Sequence, residues 1–230
     1  MKTKKKPVQA NIIYTPEEDL YNFMEISSGN IDKGILFRSS SPLKGGDAKK
    51  RIEALAVKAG IKCIINLDDK SSVLGNLSRD VSWYNKLFLE DKVLALAMTL
   101  SIPGVKSNEK KLKAALQFII NNDGPYLVHC FAGIDRTGFV SALLEMLMGA
   151  DLKTACRNYM SAISLDYSFL DTYEYSKMKS LLNQLIKMFH GKDLTTVNIQ
   201  AETENYLLNN IGLTYEEIIK LKDRLCGGEK

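Results

Sequence analysis

Thirteen residues near the middle of the chain constrain the rest: Tyr126-Leu127-Val128-His129-Cys130-Phe131-Ala132-Gly133-Ile134-Asp135-Arg136-Thr137-Gly138. A short apolar run of β type leads into Cys130, five residues separate it from Arg136, and a helical pattern runs from Thr137 to Met148 before Gly149 stops it. This is a strand, a loop and a helix N-terminus. A loop of this kind turns its backbone N–H groups inward, and the first helical turn adds unpaired donors and partial positive charge, so the stretch is suited to a phosphate-sized anion. Arg136 supplies a planar fork for two phosphate oxygens. Electropositive loops favour thiolate over thiol. Gly133 permits a backbone conformation closed to other residues, and Gly138 allows strand and helix to approach closely. A small buried cysteine at a strand end would account for Cys130 alone, but not for the arginine and the glycines.

The pattern His129-Cys130-x-x-Gly133-x-x-Arg136-Thr137-Gly138 resembles the signature of the cysteine-dependent tyrosine and dual-specificity phosphatases. Its Asp135-Arg136-Thr137-Gly138 form is similar to a bacterial branch acting on phosphotyrosine and sometimes phosphoinositides. Gly34-Ile-Leu-Phe-Arg38-Ser-Ser resembles that branch's early strand motif, and Tyr206-Leu-Leu to Leu225 its helical tail. The resemblance implies an α/β fold in which helices flank a mixed central β-sheet, with the cysteine loop between a strand and a helix N-terminus. It also implies that Arg38 ties the active-site loops together.

Composition agrees with one ordinary domain. Of 230 residues, 45% are hydrophobic and 25% charged. A net charge of +4 is too mild to argue for nucleic acid, and no apolar run approaches the roughly 20 residues of a membrane span. Cysteines at 63, 130, 156 and 226 show neither metal nor disulfide spacing, and with two histidines no metal or organic cofactor is expected. Residues 1–10 read as a disordered basic tail and 11–230 as a single domain, of which 151–230 form an all-helical extension. The expected location is cytoplasmic, with secretion the alternative where a signal peptide has been removed.

Strands are expected at Phe23 to Ile26, Ile35 to Phe37, Ile61 to Leu67 and Val81 to Leu89, with a loop from Asp68 to Asp80 and a buried helix over Val93 to Leu100. Thr15-Pro16-Glu17-Glu18 reads as a short helix start. Further helices are expected from Asp47 to Lys58, Asn108 to Ile120, Leu152 to Ala162, Phe169 to Phe189, Thr195 to Leu208 and Thr214 to Leu225, the last opened by a capping box of Thr214 and Glu217. Trp83 and Tyr84 read as packing residues.

The implied reaction is phosphomonoester hydrolysis through a cysteinyl-phosphate. Cys130 attacks, while Arg136 and the amides of Phe131, Ala132, Gly133, Ile134 and Asp135 hold the phosphoryl oxygens. His129 tunes the thiolate, and the Thr137 hydroxyl donates to the sulfur. The leaving oxygen needs a proton, and Asp91 is the first candidate, because Phe88-Leu89-Glu90-Asp91 resembles the acid loop of lipid phosphatases. Asp135 is its rival, and Asp68, Asp69 and Asp80 are lesser candidates. The resemblance places Lys at position 134 in lipid-acting relatives, so Ile134 leans the substrate toward the apolar ring of a phosphotyrosine protein. A phosphoinositide or inositol phosphate is the enzymatic alternative, and a pseudophosphatase that binds phosphate without turnover is the non-catalytic one.

Overall fold

A computed structural model describes residues 21–162 and 170–227. The expected basic tail at 1–10 and the helix start at Thr15-Pro16 fall outside these residues. Among the described residues five strands form one sheet: β1 (Met24–Ile26), β2 (Leu36–Ser39), β3 (Cys63–Asn66), β4 (Val93–Ala95) and β5 (Tyr126–His129), in the order β1-β2-β5-β3-β4. β1 runs antiparallel to β2, and the other neighbours are parallel. In register, Ser39 and Asn66 both stand beside His129, so the loops leaving β2, β3 and β5 open on one edge of the sheet. That carboxyl edge is where open α/β sheets bind ligands.

Successive strand residues point to opposite faces, and here both faces are covered. Leu36, Cys63, Ile65, Tyr126 and Val128 enter the larger core. It is built with α4 (Lys106–Asn121), α5 (Asp135–Leu147), α6 (Leu152–Ser161), α7 (Leu170–Met188), α8 (Ile199–Tyr206) and α9 (Tyr215–Leu225). Phe37, Ile64 and Leu127 enter the smaller core, under α1 (Gly46–Lys58), α2 (Ser71–Leu77) and α3 (Ser82–Leu89). Burial on both faces is why the strands read as unbroken apolar runs. The α/β sheet with flanking helices and the helical C-terminal portion are as expected. The capping box of Thr214 and Glu217 forms at the start of α9.

Three local expectations are corrected. Val81 to Leu89 is helical rather than extended: Val81, Tyr84 and Leu87 are the buried positions, a spacing of three that suits one helix face. The stretch after Lys70 contains α2 instead of a continuous loop. Val93 to Leu100 is not a helix but a three-residue strand on the edge of the sheet, followed by a turn in which Ala97 takes a φ of 45°.

Candidate active site

Cys130 follows the last residue of β5, is nearly inaccessible, and begins the loop that enters α5. The loop's shape is set from outside. The carbonyl of Phe131 accepts from the Ser41 amide at 3.0 Å, that of Ala132 from the Asn22 side chain at 2.7 Å, and that of Gly133 from Arg38 Nη2 at 2.6 Å. Three successive carbonyls drawn outward turn the intervening N–H groups inward. Among the described residues, the amides of Phe131 to Thr137 find no acceptor. Gly133 has a φ of 72°, and a Cβ there would stand 2.6 Å from the backbone of Ser39, so this loop depends on glycine for both conformation and space. Gly138 serves a different approach from the one expected. A Cβ there would lie 2.4 Å from the Tyr159 ring of α6 and 3.3 Å from Arg38 Nη2 of β2, so the tightest contact is between α5 and α6, with the strand side chain next.

Arg136 lies in the first turn of α5. Its Nη1 donates to the carbonyls of Leu67 and Met98 at 3.3 and 3.0 Å, and its Nη2 meets Asp68 at 2.8 Å. Its Nε is buried without a hydrogen-bond partner, which leaves one guanidinium donor unused. Asp68 also accepts from Lys44, which contacts Asp69 at 3.2 Å and places its ammonium 5.0 Å from the centre of the Phe131 ring. Burial alone would push the Asp68 carboxyl up, but Lys44 and Arg136 outweigh it and hold the group below its ordinary range. Asp135, on the other side of the loop, is clamped by Lys177 at 2.7 Å to both carboxylate oxygens and touched by the Tyr159 hydroxyl at 3.4 Å.

His129 points to the smaller core, away from Val128. Its Nε2 lies 3.2 Å from the Tyr84 hydroxyl, which accepts from the Asn66 side chain at 3.0 Å. Nε2 thus shares the Tyr84 hydroxyl with Asn66, while Nδ1 is buried beside the Cys130 backbone without an aligned hydrogen bond. Burial pushes His129 down to about 4, against the opposing influence of the Cys130 backbone and of Asp69 and Asp68. The ring is neutral at physiological pH, so positive charge near Cys130 comes from Arg136 and the helix N-terminus, not from an imidazolium. Asn66 also accepts from the amides of Asp68 and Asp69 at 2.9 Å, which shapes the turn that presents Asp68.

Cys130, Arg136, His129, Asp135, Arg38 and the loop from Phe131 to Ile134 thus converge on one place. Thr137 is there too, but its buried hydroxyl has no partner among the described residues and does not bond the sulfur. Asp91 is not there. It lies in the turn two residues before β4, and the Lys92 carbonyl accepts from the Ile64 amide near the start of β3. Cys130 follows the opposite end of a parallel strand, roughly 16 Å away at about 3.3 Å per residue. The misplacement follows from reading α3 as a strand, which put Asp91 at the carboxyl end of a strand, whereas it stands just before the start of β4. Asp80 lies in the turn just before α3. Residues not anticipated at the site are Asn22, Lys44, Asn66, Tyr84, Tyr159 and Lys177. None stands in a local motif that would have marked it.

A cysteine that opens a loop whose carbonyls are held from outside, with an arginine in the first turn of the helix that follows, defines the class: a cysteine-dependent phosphatase. A family model described as the tyrosine phosphatase family matches residues 19–227, and the chain belongs to that family. One solved structure with similarity is the core catalytic domain of the PP-IP phosphatase SIW14 from S. cerevisiae in complex with citrate. The two are 18% identical, with a TM-score of 0.42, over 72% of this chain and 90% of that one. No curated protein matches significantly. Among the described residues, no helix is long and apolar enough to cross a membrane.

Proposed function

We propose that this protein is a phosphomonoesterase acting on aryl phosphates of the phosphotyrosine type through a cysteinyl-phosphate. The observation that carries the proposal is the run of unpaired donors that follows Cys130: amides whose carbonyls are held from outside, and a buried, unpartnered Arg136 Nε. Such preorganised donors stabilise the charge that develops on the equatorial oxygens during transfer. In the first step the Cys130 sulfur forms a bond to phosphorus as the bond to the ester oxygen breaks, and that oxygen takes a proton. In the second, water attacks phosphorus, orthophosphate leaves, and the thiolate returns.

The proton donor proposed is Asp68. It shares Arg136 with the incoming phosphate, so a bound dianion removes one of the two cations that hold it ionised and raises its affinity for a proton. Asp135, fastened to Lys177, is the weaker choice. The salt-bridged charges described around the pocket are balanced, Lys44, Arg136 and Lys177 facing Asp68, Asp69 and Asp135, and the further cation, Arg38, is turned to backbone carbonyls. That balance favours one phosphate over several, and the exposed Phe131 ring at the rim offers a stacking face for an aryl group. We take residues 11–230 as a single phosphatase unit, a reading supported by the family match over 19–227.

The test compares phosphate release from a phosphotyrosine peptide, a soluble phosphoinositide and an inositol polyphosphate. Preference for the peptide is expected. Faster turnover of either inositol substrate would transfer the site to that class, and phosphopeptide binding with no release would make it a binding module.

A further inference from the structure

Glu145 and Asn158 lie outside the pocket, on α5 and α6, yet they connect to it. Glu145 is fully buried between the apolar residues Leu144 and Met146. Its Oε1 accepts from the Ser28 hydroxyl at 2.5 Å and from the Asn158 side-chain amide, while its Oε2 is buried with no hydrogen-bond partner. A carboxyl group in a helix interface with half its acceptor capacity unused is costly, and a leucine would suit packing better. Something other than burial accounts for it. The Asn158 carbonyl accepts from Arg38 Nη1 at 3.2 Å, and Arg38 Nη2 holds the Gly133 carbonyl at 2.6 Å. Arg38 itself is fully buried, and its positive charge favours the ionised form of Glu145.

We propose that Glu145 and Asn158 are positioning residues for the oxyanion loop, acting through Arg38. Glu145 fixes the Asn158 side chain and thereby the turn of α6 whose carbonyl receives Arg38. Arg38, so oriented, holds the Gly133 carbonyl outward and the loop amides inward. The same turn of α6 carries Tyr159, which packs on Gly138 and touches Asp135, so a shift of α6 reaches the loop at two points. The inference rests on reading the Cys130 loop as an oxyanion site.

The experiment is calorimetric titration of the intact protein with orthovanadate, together with kcat for p-nitrophenyl phosphate and thermal midpoints, on wild type, Glu145→Gln, Asn158→Ala and the double variant. Glu145→Gln keeps the side-chain shape. The expected result for each single variant is vanadate binding weakened about tenfold and kcat lowered by a similar factor, without a matching fall in midpoint. The double variant is expected to be no worse than the poorer single one, as for residues acting in series. Vanadate affinity and kcat within about twofold of wild type, whatever the midpoint does, would overturn the relay, as would losses that multiply in the double variant. Should Glu145→Gln fail to fold, Asn158→Ala alone decides by the same two readouts. Wild-type protein that binds no vanadate would instead overturn the oxyanion site itself, so the two failures are distinguishable.

Discussion

Arg38 Nη2 donates to the carbonyl of Gly133 at 2.6 Å, joining the end of β2 to the middle of the Cys130 loop across 95 residues of chain. With Asn22 on the Ala132 carbonyl, it leaves the loop amides facing inward. Arg38→Met is expected to abolish most oxyanion binding and to lower kcat/KM for p-nitrophenyl phosphate by about a hundredfold, the scale of losing preorganised donors. Steady-state kinetics beside a vanadate titration checks this, and unchanged vanadate affinity would contradict it.

Gly133→Ala is expected to act on the same loop by a different route. The new Cβ would meet the Ser39 backbone at 2.6 Å with φ at 72°, so either the loop moves or the end of β2 does. A loss of about 1–3 kcal/mol in denaturant unfolding is expected, on the scale of stored backbone strain. Equal stability with intact activity would contradict the close approach of this loop to β2.

The two acids can be separated by leaving group. Asp68→Asn is expected to slow an alkyl phosphate, whose leaving oxygen must be protonated, by about a hundredfold to ten-thousandfold, and p-nitrophenyl phosphate far less. Asp91→Asn, at the opposite edge of the sheet, is expected to leave both rates unchanged. A fall on the alkyl ester with Asp91→Asn alone would reverse the assignment.

Much of this was legible in the chain, and the boundary has a physical reason. The signature from His129 to Gly138 is contiguous, so its strand, loop and helix can be read directly. Arg38 was legible because it stands in an early strand motif, although its partners Gly133 and Asn158 come from distant segments. Asn22, Lys44, Tyr84 and Lys177 carry no local pattern, and only the packing of α1, α3 and α7 around the sheet edge brings the last three in. Val81 to Leu89 failed for a different reason. Its short apolar run suits either period, and the burial of Val81, Tyr84 and Leu87 decides for a helix only once the smaller core is known.

Stability should depend on pH through two buried groups of opposite sign. Burial raises Glu145 from 4.5 to about 7, even though Ser28, Asn158 and Arg38 draw it down. Folding therefore favours its protonated form, and that contribution is lost as pH rises between those values. His129 is lowered from 6.5 to about 4, chiefly by burial, so its contribution is lost as pH falls through that window. The two largely cancel in the wild type. In Glu145→Gln only the histidine remains, and the variant should gain about 2–3 kcal/mol relative to wild type between pH 5 and 8. Parallel pH profiles from urea unfolding would contradict this.

The central claim is that Cys130 carries the phosphoryl group. Acid quench of the enzyme during turnover of an aryl phosphate, followed by peptide mass spectrometry, tests it most directly, with EDTA present throughout. The expected result is a phosphorylated peptide containing Cys130 in the wild type, with neither adduct nor phosphate release in Cys130→Ser. Phosphate release that persists in Cys130→Ser would contradict it.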